Sequence, residues 1–268
     1  YREEEFSVDV NLTDNSGRLN KVKVDDRTTL TTDTSNPFEM RSQARIIDTA
    51  KGTDINFTNT SNNLGQDGNA TDANPYKVTI SGHVGKNQPV NNDASRNSWT
   101  RYITGYDQSN LTNNNNVSNA TNNANIQIEF RKQSDKYTPT AVAPANATVD
   151  LTANGITGYN DPETYIANKS YLPTVGTTPD TKTTYTWKSG ENPTVSNGQL
   201  TRTVVVTYPD GSSDDVPVTF TVRDTVAPTI TNLIPIRNAE IDRTNPRKII
   251  VYREEEFSVD VNLTDNSG

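Results

Sequence analysis

Oxygen donors dominate the chemistry open to this chain. Cysteine is absent and His83 is the single histidine. Triads built on histidine and zinc sites built on His and Cys therefore have almost no material. The run Glu3, Glu4, Glu5 offers the paired carboxylates of a glycosidase, but it precedes an alternating stretch and reads as a solvated run before a strand. No glycine-rich phosphate loop follows a strand signal. An enzyme is not expected. Calcium is the cofactor the residues suit best, since it takes six to eight oxygen ligands, often from loops. The candidate metal ligands are Asp14 and Asn15, in a turn that ends at Gly17, and Asp224, at a composition boundary. Asp265 and Asn266 are their sequence equivalents in a second copy. The same residues suit ordinary Asx turns, and that alternative stays open. Asp67 to Asp72 has the flavour of a calcium loop but the wrong spacing for an EF-hand. Asp210, Ser212 and Asp214 read as hairpin-turn residues.

Aromatic residues supply a second set of candidates. Trp99, Tyr102 and Tyr106 lie close to an Asn-rich stretch and form a candidate surface for a host protein or glycan. Tyr185 and Trp187 could stack on a sugar, yet large aromatics in small sandwiches usually fill the core, and that is the expectation here. The sequons at Asn11, Asn56, Asn69, Asn119 and Asn146 are read as products of a composition rich in Asn and Thr. The net charge is −8. Its acidic and basic residues are interspersed, which suits a solvated surface. No Lys/Arg block provides a nucleic-acid footprint.

The elements that must position these residues are strands. Only 31% of the 268 residues are hydrophobic, but they alternate with polar ones at period two. Such runs occur at Phe6 to Leu12, Leu19 to Val24, around Phe38 to Met40, and at Asp54 to Phe57. They continue at Tyr76 to Ile80, Trp99 to Ile103 and Ile126 to Phe130. Turn-prone clusters separate them, which points to antiparallel sandwiches. Two low-complexity stretches, 58–74 and 110–125, cannot pack a core and are expected to be long surface loops or extended hairpin tips. No membrane span is visible. The absence of cysteine fits a Gram-positive bacterial surface protein better than a secreted eukaryotic one, and is also compatible with a cytosolic protein.

The chain repeats itself. Residues 252–268 are identical to residues 1–17, so the sequence reads as one period of a tandem array plus the opening of the next copy. The expected organisation is a decorated Ig-like sandwich body at 1–136 that lacks its first strand, and a linker at 137–143. A compact β-domain at 144–223 follows, and 224–268 holds a linker and the opening strands of the next Ig-like module. An unpaired sheet edge in the first body would favour pairing between molecules.

The most specific stretch is a hairpin. Gln199 to Thr207 forms one arm, Tyr208-Pro-Asp-Gly211 the turn, and Ser212 to Val222 the return. Proline presets φ and glycine accepts a positive φ. Together with Ile166 to Pro173 and Thr183 to Trp187, this segment resembles the Rib/alpha-like repeat domain of Gram-positive surface proteins. Asp224 to Ile230, followed by Glu256 to Gly268, resembles the opening of bacterial Ig-like domains of surface arrays. These resemblances imply an all-β chain, with tandem Ig-like β-sandwich domains in an elongated array. They also imply an extracellular, cell-wall-anchored location on a Gram-positive bacterium, and calcium at domain junctions that stiffens the chain. The expected function is the repeat unit of a cell-surface adhesin, acting mainly as a stalk that projects a distal binding domain. The alternatives are an adhesive module that binds host protein or glycan through its Asn-rich loops, or homophilic association in biofilm. The expected partners are neighbouring repeats, a host extracellular protein or glycan, or the same protein on another cell, with no nucleic acid and no membrane insertion.

Overall fold

The computed structural model describes residues 1–25, 45–61, 63–90, 99–107, 120–178 and 180–265. The architecture is all-β, as the alternation predicts. Among the described residues the helical content is limited to short 3-10 turns, and no described helix is long and apolar enough to cross a membrane. The chain divides into two compact units. The first comprises 1–138 with the excursions 170–184 and 207–214; the second comprises 139–169, 185–206 and 215–268.

The first unit opens with β1 (Glu5–Leu12), β2 (Leu19–Asp25), β3 (Arg45–Asp48) and β4 (Thr53–Phe57). It continues with β5 (Tyr76–His83), β6 (Trp99–Asp107) and β7 (Ala120–Ile128). One sheet has the order β1-β5-β4-β3 and the other the order β2-β6-β7, with antiparallel pairing throughout. The period-two pattern decides which side chains turn inward. Thr53, Ile55 and Phe57 are buried on β4, with Asp54 and Asn56 between them partly exposed. Leu19, Val22, Val24 and Ile103 join Ile46, Ile55, Phe57, Val78 and Ile80 in one core.

One expectation about loops fails. The stretch 58–74 does contribute to the core, through the buried Leu64 and Ala70. Its backbone is held by Leu19 N–H to the Gly68 carbonyl (2.7 Å), Leu64 N–H to the Asn20 carbonyl (2.8 Å) and Ala70 N–H to the Gly17 carbonyl (3.0 Å). Two small apolar residues and a set of backbone bonds suffice where composition alone reads as loop. Within the second stretch, Ala120 to Asn125 belongs to β7, because β6 supplies a ladder partner, with one register shift between Ile103 and Gly105. Its remaining residues, and the strand expected around Phe38 to Met40, lie outside the described residues.

The second unit carries β8 (Thr148–Thr152), β9 (Gly155–Thr157), β10 (Thr184–Trp187), β11 (Gln199–Thr207) and β12 (Ser213–Asp224), which the unit boundaries cut at a few terminal residues. Their order is β10-β11-β12-β8-β9. β12 and β8 run parallel, so the purely antiparallel expectation is corrected here. A parallel neighbour needs a crossover of a dozen or more residues, and no local pattern in either strand announces it. Phe220, fully buried, packs against Tyr159 (5.3 Å between ring centroids), Tyr165 (4.9 Å) and Trp187 (6.1 Å). Trp187 is therefore a packing residue, as expected. The Arg202 guanidinium lies 4.3 Å from its ring centroid, a cation–π geometry. Beyond this sheet, β13 (Thr229–Arg237) and β14 (Ala239–Ile241) precede β15 (Ile249–Val251) and β16 (Ser258–Thr264). β13 pairs with β16 and β14 with β15, both antiparallel.

Candidate functional site

The aromatic candidates sit on β6, the central strand of the three-stranded sheet. Its neighbours fix its register: Arg101 lies opposite Ile126, and Tyr102 lies opposite Asn125 on β7 and Asp25 on β2. A strand paired on both edges is a rigid platform for recognition residues. Tyr106 is half-buried and stacks under the Lys21 ammonium, 5.1 Å from the ring centroid. The side chains of Trp99, Thr100, Arg101 and Tyr102 lie outside the described residues.

Glu3 and Glu4 of the glutamate run prove to be structural, which corrects their reading as solvated, whereas Glu5 is exposed. Glu3 is only 2% exposed. Oε1 accepts from the Lys86 amide (2.8 Å) and the Thr178 hydroxyl (2.6 Å), and Oε2 accepts from the Thr178 amide (2.7 Å) and the Thr181 hydroxyl (3.2 Å). Four donors around one carboxylate compensate its removal from water. The residue takes a left-handed φ of 61°, which aims the side chain inward instead of along β1. Gly176 lines the same site. A Cβ there would lie 2.6 Å from Glu3 Oε2 and 2.4 Å from Thr181 Oγ1, so the close approach requires glycine.

Glu4 accepts from Lys136 Nζ (2.5 Å) and the Tyr137 hydroxyl (2.8 Å). Burial pushes its carboxyl up, but the Lys136 and Tyr137 hydrogen bonds outweigh it and hold the group below the ordinary glutamate value. A carboxylate whose folded pKa is depressed adds stability above its unfolded pKa and loses it as pH falls through the folded one. Stability is therefore expected to drop as pH falls below about 4.5. Chemical denaturation of Glu4→Gln across pH 3 to 7 checks this: the variant should show a shallower acid decline, and an unchanged decline would remove the assignment.

The turn at Tyr208 to Ser212 forms as the sequence predicts, closed by Tyr208 N–H to the Ser212 carbonyl (2.8 Å), with Gly211 at φ 80°. It does more than reverse the chain. Asp210 is buried and accepts from the Gln133 amide (3.0 Å), and its own amide donates to Gln133 Oε1 (3.0 Å). The Arg2 guanidinium stands 3.6 Å from Asp210, and Ser134 N–H donates to Ser212 Oγ (3.1 Å). Sequence reasoning missed Arg2 and Gln133, since neither belongs to any motif and their partners are remote in sequence.

The candidate calcium ligands act as turn residues. Asp14 accepts from the Ser16 amide (2.8 Å) and hydroxyl. Asn15 is exposed. Asp224 accepts from the Val226 amide (2.9 Å). Among the described residues, no three His, Cys, Asp or Glu side chains cluster as a metal site. His83 sits on β5 opposite Asp54 of β4.

With this geometry in place, comparison with known proteins is decisive. Residues 1–127 match the family model of the GspA/SrpA SigLec-like domain, and residues 133–224 match that of the Rib domain. The chain thus matches a SigLec-like domain model and, after it, a Rib domain model. The Rib resemblance is borne out, and the half read as Ig-like matches a more specific model. A streptococcal hemagglutinin of Streptococcus gordonii is 27% identical over 240 residues, which is 84% of this chain and 9% of that protein. Among solved structures, the SrpA adhesin of Streptococcus sanguinis is 24% identical with a TM-score of 0.46, covering 84% of this chain and 88% of that one. The sialic acid binding region of another Streptococcus sanguinis adhesin, bound to 3'sLn, is 26% identical with a TM-score of 0.47, covering 100% of this chain and 53% of that one. A Rib structure from Streptococcus pyogenes is 35% identical with a TM-score of 0.26, covering 34% of this chain and 98% of that one. Two of these solved structures are of streptococcal adhesins, and the curated relative is a streptococcal hemagglutinin of which this chain spans about a tenth.

Proposed function

We propose that this protein is a segment of a bacterial surface adhesin in which the SigLec-like domain binds a sialylated host glycan and the Rib domain spaces successive binding modules. The observation that carries the reading is the SigLec-like match over residues 1–127, on a sandwich whose central strand β6 bears Trp99, Thr100, Arg101, Tyr102 and Tyr106. Sialic acid presents a carboxylate and an apolar sugar face. A guanidinium fork suits the first and aromatic rings suit the second. Weak single-site binding is expected, with tandem repetition adding avidity. The stalk function belongs to the same picture, because repeated modules both extend the chain and multiply its binding sites.

Titration calorimetry with 3′-sialyl-N-acetyllactosamine and its asialo form tests the proposal. The sialylated glycan binds and the asialo form does not. Arg101→Ala and Arg101→Lys each weaken binding by about tenfold or more, since lysine cannot reproduce a bidentate fork. Equal binding of both glycans, or binding unaffected by either substitution, overturns the reading. Absence of binding leaves the spacer role alone. Calcium at Asp14, Asn15 or Asp224 and homophilic association in biofilm stand as separate proposals. Thermal unfolding with and without chelator checks the first, and cell aggregation checks the second.

A further inference from the structure

The same seventeen residues occur in two settings, and each setting bares what the other covers. In the first copy, Phe6, Val10 and Leu12 pack against the core, whereas their repeats Phe257, Val261 and Leu263 are 54%, 48% and 60% exposed. Val8 is the reverse. It is 56% exposed, whereas its repeat Val259 is partly covered and stands opposite Pro235 of β13.

The backbone pattern places the two partners of this strand on opposite edges. Thr58 N–H donates to the Thr79 carbonyl at 2.9 Å, so residues 79, 81 and 83 of β5 turn toward β4. Residues 78, 80 and 82 then turn toward β1 and meet Val10, Val8 and Phe6. The backbone groups of Ser7, Asp9 and Asn11 point the other way. In the second copy, Pro235 has no N–H to give, which fits a non-bonded pair with Val259. The bonded residues of β16 are thus Ser258, Asp260 and Asn262, the repeats of Ser7, Asp9 and Asn11. Among the described residues, β1 has no strand on that edge.

We infer that β13 of one chain seats along the free edge of β1 in a second copy of the chain, giving the sheet β13-β1-β5-β4-β3. β1 replaces β16 with the same sequence in the same register, so the ladder is conserved. The gain is burial of the exposed Ile230, which comes to stand opposite Leu12, and of Val8, which comes to stand opposite Pro235. The backbone is already set for the exchange, since Glu254 holds φ 62° where Glu3 holds 61°. In a tandem array β16 is itself the β1 of the adjoining repeat, and between separate chains the same surfaces join head to tail.

The chain has no cysteine, so engineered disulfides report directly. Val8→Cys in one chain and Pro235→Cys in another occupy a non-bonded pair, where side chains approach most closely. Oxidising the mixture is expected to give at least tenfold more cross-linked heterodimer than an off-register mixture of Val8→Cys with Thr244→Cys. Equal yields overturn the inference. Sedimentation equilibrium of the unsubstituted chain gives an independent reading. Average mass should rise with concentration, and Asp9→Pro, which removes an edge-facing amide, should abolish the rise. A constant monomer mass overturns pairing between copies.

Discussion

Glu3→Ala lowers the unfolding midpoint of the first unit by about 6–12 °C, equivalent to about 3 kcal/mol. The substitution strands the Lys86 and Thr178 amides, both bonded to the carboxylate. A buried amide left without an acceptor costs about 1–3 kcal/mol. It also frees the hydroxyls of Thr178 and Thr181, which recover part of the loss through water. Glu3→Gln keeps one acceptor oxygen and should fall between parent and alanine. Differential scanning calorimetry of the three proteins measures this. A Glu3→Ala protein within about 0.5 kcal/mol of the parent, the range of an ordinary surface change, would show that the carboxylate is not needed. The site matters because its donors come from two separate stretches of chain, at Lys86 and at Thr178 to Thr181. One side chain before the first strand ties both together.

Phe220→Ala is expected to cost the second unit about 3–5 kcal/mol, lowering its midpoint by more than about 12 °C. Phe220 is fully buried, and three aromatic rings contact it. Removing it leaves a cavity that neither β12 nor the rings can close, since Arg202 and the sheet hold Trp187 and Tyr159 from the other side. Phe220→Leu keeps most of the volume and should lose much less. Near-ultraviolet circular dichroism reports the change, because the cluster contains Trp187, one of the two tryptophans in the chain. An alanine variant that keeps both the aromatic signal and its midpoint would mean that the cluster is not the core of this unit.

These two sites differ in how far the sequence revealed them. Phe220 was legible, because Val216, Val218, Phe220 and Val222 alternate along a strand that follows a Pro-Asp-Gly turn. Period-two spacing specifies the buried face without knowledge of the partner. Glu3 was not legible. Three successive glutamates look like solvated charge, and nothing nearby in sequence supplies their donors. Lys86 is 83 residues away and Thr178 is 175 residues away.

The sequence by itself determined the all-β class, most strands of the first unit, the β11–β12 hairpin with its turn at Tyr208 to Ser212, the Rib signature and the tandem period. Each is set by contacts within a few residues or by composition, so one dimension carries it. Only the tertiary structure decided the burial of Glu3 and Asp210, the core roles of Leu64 and Ala70 in an Asn- and Thr-rich stretch, and the parallel pairing of β12 with β8. It alone also separated the two edges of β1. These depend on which distant segments meet, and backbone bonds and desolvated carboxylates select their partners by geometry that no local pattern records.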